Sequence, residues 1–314
     1  MHSPEMPLWT GRDDTACEGA AARRWHQVVQ PWQPHAFQQG HVLLGFECDI
    51  GVKRNLGRIG SAAGPNALRR ALANLAWHHS SDLFDAGNIL AHDDAMETAQ
   101  EQLRQRASGI LEEFAPLIIL GGGHETAWGS FQALRTVHTS SRLGIINLDA
   151  HFDLRSSQQP HSGTPFAQMA TWSQQAGFPF NYLCLGISVA ANTAALFENA
   201  RRYGATWIID EALQDSMEPH RNALDQFLGN VDHVYLSIDL DVLPPSVMHA
   251  VSAPAGLGVP QPVLMQLIEY IARSGKLLLT DVVEYNPLLD QQQTCVRAAA
   301  RLIWHLLQHW PLSR

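Results

Sequence analysis

The stretch LGIINLDAHFDLR, residues 143–155, decides how this sequence folds. It opens on a short apolar run and ends on Asp149, His151, Asp153 and Arg155. An apolar run of this length, bounded by polar residues, reads as a buried β-strand. Asp149, His151 and Asp153 alternate, so in an extended segment their side chains point to one side. Two carboxylates placed so close together are costly to bury without a cation between them. The stretch therefore reads as a strand that delivers metal ligands at its carboxyl end, with Arg155 continuing the alternation.

The same design recurs along the chain. PLIILGG (116–122) is an apolar run followed by His124, HVYLSIDLD (233–241) ends on Asp239 and Asp241, and KLLLTDVVE (276–284) ends on Glu284. HVLLGFE (41–47), NYLCLGI (181–187) and ATWIID (205–210) read as further strands. GPNALRRALANLAWH (64–78), with Pro65 in its first turn, reads as a helix, as does QQQTCVRAAARLIWHLLQHW (291–310). Strands apolar along their whole length, alternating with helices, predict an α/β protein with a central, mainly parallel sheet covered on both faces. No linker or internal repeat divides the chain. The expected organisation is one catalytic domain over residues 41–314, with residues 1–40, polar and irregular, as an extension packed on it. In such sheets, ligands bind beyond the carboxyl ends of the strands. That is where the acids and imidazoles fall.

Composition narrows the function. The chain has 314 residues, 46% hydrophobic, and a formal net charge of -9. With no run of Lys or Arg, nucleic acid is not an expected partner. Cys17, Cys48, Cys184 and Cys295 form no CxxC pair, which argues against a zinc knuckle or a disulfide framework. No signal-peptide pattern or bilayer-length apolar run is evident, so a cytoplasmic enzyme acting on a small molecule is expected, without membrane contact.

Two histidines and four aspartates, with no cysteine among them, suit hard or borderline divalent ions. Carboxylates that can bridge favour a pair of ions, and two Mn2+ per subunit is the natural choice for oxygen-rich ligation with imidazole. Such a pair makes hydroxide available at neutral pH, and the reaction class is metal-assisted hydrolysis.

GGGHE (121–125), NLDAHFDLR (147–155) and SIDLDVLPP (237–245) resemble the three signature motifs of the arginase–agmatinase (ureohydrolase) family. The resemblance runs from GFECDIGVKRNLGRIGSAAGPNALRRAL (45–72) to DVVEYNP (281–287). It implies a three-layer α/β/α sandwich and a homo-oligomer, trimer or hexamer. It also implies that His124, Asp149, Asp153 and Asp239 hold one manganese and that His151 and Asp241 hold the other, with Asp149 and Asp239 bridging. Asp153 would accept a proton, and Glu284 would pair with the substrate's amidinium or guanidinium group.

Departures from the family pattern bear on the substrate. Arginases carry Asn where this chain has Arg155, and an acid near GISVAANTAAL (186–196), which has none. Where family members have a histidine before glycine, this chain has Ser162 in HSGTPF (161–166), with His161 displaced by one position. Ser162 lacks an imidazole to shuttle protons, which leaves His161 as the candidate for that role. A cation at position 155 and no acid for an ammonium imply a dicarboxylate without a free amine. Formimidoylglutamate fits, with L-glutamate and formamide as products, a step of histidine degradation. The alternative is another amidino hydrolase acting on a guanidino acid, of guanidinobutyrase, agmatinase or arginase type.

Overall fold

The apolar runs become parallel strands of one sheet. The computed structural model describes residues 6–35, 40–113 and 116–312. Its strands are β1 (Val29–Pro31), β2 (Gly40–Glu47), β3 (Asp82–Leu90), β4 (Leu117–Leu120), β5 (Leu143–Leu148), β6 (Asn181–Ile187), β7 (Thr206–Ile209), β8 (His233–Asp239) and β9 (Leu277–Val283). Every pairing is parallel, in the order β1-β3-β2-β4-β9-β8-β5-β6-β7. β8 and β9, late in the sequence, thus fill the centre between β4 and β5.

The strands are apolar throughout because both of their faces are covered. In β4, Ile118 and Leu120 face one core and Leu117 and Ile119 the other. In β5, Ile146 and Leu148 face the first core, and Leu143 and Ile145 the second. Helices Gly64–Ala73, Gln261–Ala272 and Thr294–His309 close the first core. Helices Met96–Leu111, Thr126–Val137 and Pro165–Ala176 close the second. The result is the expected three-layer α/β/α sandwich. Among the described residues, no helix is long and apolar enough to cross a membrane.

Two strands have no counterpart in the hydrophobic pattern. β3 carries Asp85 and Asn88, which read as strand breakers. Asp85 is fully buried and is neutralised by Arg69, with Nε–Oδ2 at 2.8 Å and Nη2–Oδ1 at 2.9 Å. Trp9 Nε1 donates to the same carboxylate at 2.7 Å, tying the amino-terminal segment to the sheet. That segment also supplies β1, an edge strand whose Val29 stands opposite Leu83. The helix expected over 64–78 stops at Ala73. Its continuation instead meets the amino-terminal segment, with Trp25 N donating to Leu75 O and Trp77 N to Arg23 O.

Candidate metal centre

The four strands whose ends carry acids and imidazoles are neighbours, in the order β4-β9-β8-β5. Their register levels those ends: Leu120 stands opposite Val282, Ile238 opposite Val282, and Leu148 opposite Ile238. The next residues along β5 and β8 are Asp149 and Asp239, which leave the sheet side by side. His124 follows β4 through three glycines. At Gly122 the chain passes so close to Cys48 that a Cβ would stand 1.9 Å from the Cys48 carbonyl oxygen. Only glycine permits that approach.

His124 lies at the focus of the acids. Its Nδ1 is 2.9 Å from Asp153 Oδ2, 3.0 Å from Asp239 Oδ2 and 3.4 Å from Asp149 Oδ2. His151 Nδ1 is 3.0 Å from Asp241 Oδ2 and 3.5 Å from Asp149 Oδ1. Asp149 therefore turns one oxygen toward each histidine. Two groups of converging ligand atoms result: His124, Asp149, Asp153 and Asp239, and then Asp149, His151 and Asp241. Asp149 belongs to both, whereas Asp239 falls in the first only. Its Oδ1 accepts from Asp241 N at 2.9 Å.

The donor chemistry fits a pair of cations. His124 Nδ1 is buried and has no hydrogen-bond partner. Its Nε2 lies 2.9 Å from Ser237 Oγ, whose own hydrogen goes to Asp281 Oδ1 at 2.6 Å. Ser237 can then only accept from Nε2–H, which leaves a lone pair on Nδ1 aimed at three carboxylate oxygens. The charge state without cations shows the same need. Burial pushes Asp241 up to about 6 and Glu284 to about 8. Burial opposes charge on His124, yet the facing carboxylates of Asp149, Asp153 and Asp239 outweigh it and hold this imidazole well above its ordinary range. His151 is raised likewise, by Asp241 and Asp149 against burial. Protons occupy the cluster where cations would otherwise balance it.

The segment after β5 is not extended, contrary to the alternation argument. β5 ends at Leu148, and Asp153 has φ 47°, in the left-handed region. Asn192 braces the turn by accepting from Phe152 N and donating to Ala150 O. The carboxylates still converge, but the turn, not a strand pleat, aims them. Alternation therefore does not determine where Arg155 points. Arg155 is exposed, its stem runs along Gly163, and its backbone N donates to Gly163 O at 3.0 Å.

His161 is half-buried, and burial lowers its pKa with help from the Arg155 charge, against the pull of Asp153. Its Nδ1 accepts from Gly163 N at 3.1 Å, so the neutral ring carries its hydrogen on Nε2. Ser162 is buried, and its Oγ accepts from Asn55 Nδ2 at 3.1 Å. Glu284, at φ 72°, accepts from His124 N through Oε1 at 2.8 Å. Its buried Oε2 has no partner.

The nearby cations Arg54 and Arg58 are engaged elsewhere. Arg54 pairs with Glu97 at 2.6 Å, and Arg58 donates to the carbonyls of His249, Val251 and Ser252. Sequence reasoning passed over Asn147, Ser237 and Asp281. Asn147 Nδ2 donates to Asp149 Oδ2 at 2.9 Å, and Asp281 gathers hydroxyls from Ser130, Tyr235 and Ser237. Their signal was available as polar residues inside otherwise apolar strands, where each must find a partner.

The arginase family model matches residues 39–308. A formimidoylglutamase of Chromobacterium violaceum is 49% identical over 306 residues, covering 97% of this chain and 98% of that protein. The crystal structure of formimidoylglutamase from Bacillus subtilis superposes with a TM-score of 0.84 at 21% identity, covering 96% of this chain and 94% of that one. Trypanosoma cruzi formiminoglutamase, solved with Mn2+2, gives 0.81 at 23% identity, covering 91% and 97%.

Proposed function

The chain belongs to the arginase family, and from that membership we infer that it hydrolyses N-formimidoyl-L-glutamate to L-glutamate and formamide. The observation that carries this reading is the 49% identity to a formimidoylglutamase over nearly the full length of both chains. In this reading His124, Asp149, Asp153 and Asp239 hold one Mn2+, and His151 and Asp241, with Asp149, hold the second. When bound, such a pair supplies Lewis acidity and a nucleophilic hydroxide at neutral pH.

The chain's own residues do the rest. The unpartnered Glu284 Oε2 receives the amidinium and orients the formimidoyl carbon toward the metal-binding carboxylates. Asp153 accepts a proton from the nucleophile and hands it to the departing α-amine of glutamate. His161, neutral with its hydrogen on Nε2, offers the substrate a hydrogen bond, and it becomes a proton donor only once a proton displaces Gly163 N from Nδ1. Arg155 meets a substrate carboxylate in a charge-assisted contact, and Ser162, beside Asn55, lines the same wall. Assembly into a trimer or hexamer belongs to the same reading and is open to light scattering.

The test is turnover of formimidoylglutamate, arginine, agmatine and guanidinobutyrate by the Mn2+-loaded protein. Formimidoylglutamate should give the highest kcat/KM. Urea release from any guanidino compound at a higher kcat/KM would overturn the assignment.

A further inference from the structure

The carboxyl-terminal helix Thr294–His309 carries two histidines that the metal centre does not use. His305 and His309 are four residues apart and therefore share one face. Their ring centroids are 4.5 Å apart. Glu269, on the neighbouring helix Gln261–Ala272, reaches across to both. Its Oε2 lies 3.6 Å from His305 Nε2 and 3.4 Å from His309 Nε2. We propose that Glu269, His305 and His309 form a further metal site, for borderline transition ions such as Zn2+, that clips the carboxyl-terminal helix to helix Gln261–Ala272.

The chemistry argues for Zn2+, Cu2+ or Ni2+ over Mn2+. Two imidazoles and a single carboxylate make a nitrogen-rich set, which borderline ions prefer. A His-x3-His pair on one helical turn is a recognised zinc chelate, completed by a carboxylate from a neighbouring element and by water. The side chains are partly open to solvent, at 33% for Glu269, 10% for His305 and 22% for His309, so an ion can enter and keep a water ligand. Burial holds both imidazoles below the ordinary histidine range, so both rings are neutral at neutral pH.

Two contacts compete with the ion. His305 Nε2 lies 3.1 Å from Met265 O, and binding must displace the hydrogen held there. Arg273 Nη2 lies 3.0 Å from both Glu269 Oε1 and His309 Nδ1. By donating to Nδ1 it keeps the neutral His309 hydrogen on Nε2, where a metal must bind. Arg273 is 62% exposed and can swing away, so it weakens the site without closing it. This predicts that removing a cationic side chain strengthens binding.

The experiment is equilibrium dialysis of Mn2+-saturated protein against Zn2+, for the natural chain, His309→Gln, Glu269→Gln and Arg273→Ala. Exchange of Zn2+ into the catalytic centre is common to all four and cancels in the comparison. The natural chain should bind one Zn2+ more tightly than His309→Gln or Glu269→Gln, by on the order of tenfold or more. Arg273→Ala should bind it more tightly still, and Zn2+ should raise the Tm of the natural chain but not of His309→Gln. Equal Zn2+ binding by the natural chain and both ligand variants would overturn the site, as would weaker binding by Arg273→Ala.

Discussion

His124 and Ser237 are joined by a 2.9 Å hydrogen bond, and Ser237 passes its own hydrogen to Asp281 at 2.6 Å. This relay orients the imidazole and fixes which nitrogen keeps its lone pair. It does so from the sheet interior, where β8 and β9 place Ser237 opposite Asp281. Partners of this kind typically change metal affinity about 10–100-fold. Ser237→Ala is therefore expected to weaken one of two Mn2+ sites by that factor. Titration followed by Mn2+ electron paramagnetic resonance reads this directly, and two sites of unchanged affinity would refute the relay.

Asp149 turns separate oxygens toward His124 and His151, at 3.4 and 3.5 Å. Asp241 faces His151 only, at 3.0 Å. The two aspartates should differ when altered. Asp149→Asn is expected to lose both ions, and Asp241→Asn to lose one and keep the other. Metal content per chain after gel filtration in Mn2+ distinguishes them, and equal losses would contradict a shared Asp149.

Most of this centre is legible in the sequence because each ligand follows an apolar strand, and strand ends share one edge of a parallel sheet. Apolar runs also locate the central strands. β3 is illegible by that route, because Asp85 and Asn88 interrupt it and their partners lie far along the sequence: Arg69 and Trp9 for Asp85, and Arg69, Asn66 and Glu47 for Asn88. The aim of residues 149–155 is illegible for a different reason. Alternation assumes an extended chain, and the positive φ of Asp153 turns it. Ser237 and Asp281 are visible as letters but gain meaning only from the register that sets them opposite each other.

Arg155 has no protein carboxylate fixing its exposed guanidinium, among the ion pairs of the described residues. A substrate carboxylate would then be its partner. Truncating one side of such a contact costs 2–5 kcal/mol when the pair is buried. Arg155 is exposed, so a smaller cost is expected, on the order of 1 kcal/mol, or roughly fivefold in KM. Arg155→Asn should raise KM for formimidoylglutamate by that order and change kcat less. An unmoved KM would remove Arg155 from the substrate site.

Metal removal should make stability depend on pH in a definite direction. In the metal-free protein, burial raises Asp241 from an ordinary 3.8 to about 6 and Glu284 from 4.5 to about 8. Between those values the folded chain keeps protons that the unfolded chain has already released. The contribution of these two acids to stability therefore falls as pH rises from roughly 4 to 8, while the histidines that burial depresses, His41 among them, are common to both metal states. His124 and His151, raised by their carboxylates against burial, act in the same sense. Asp149, where the two histidines outweigh burial and lower the pKa, acts in the opposite sense, but only below that window. Mn2+ displaces these protons, so its stabilising effect should grow with pH. At a hundredfold excess over Kd, each ion contributes about 2.7 kcal/mol. Thermal unfolding of chelator-treated and Mn2+-loaded protein at pH 5.5 and 8 should show a gap that widens at pH 8, with proton release on Mn2+ addition. A gap that narrows with rising pH would mean that the buried acids do not hold their protons in the metal-free fold.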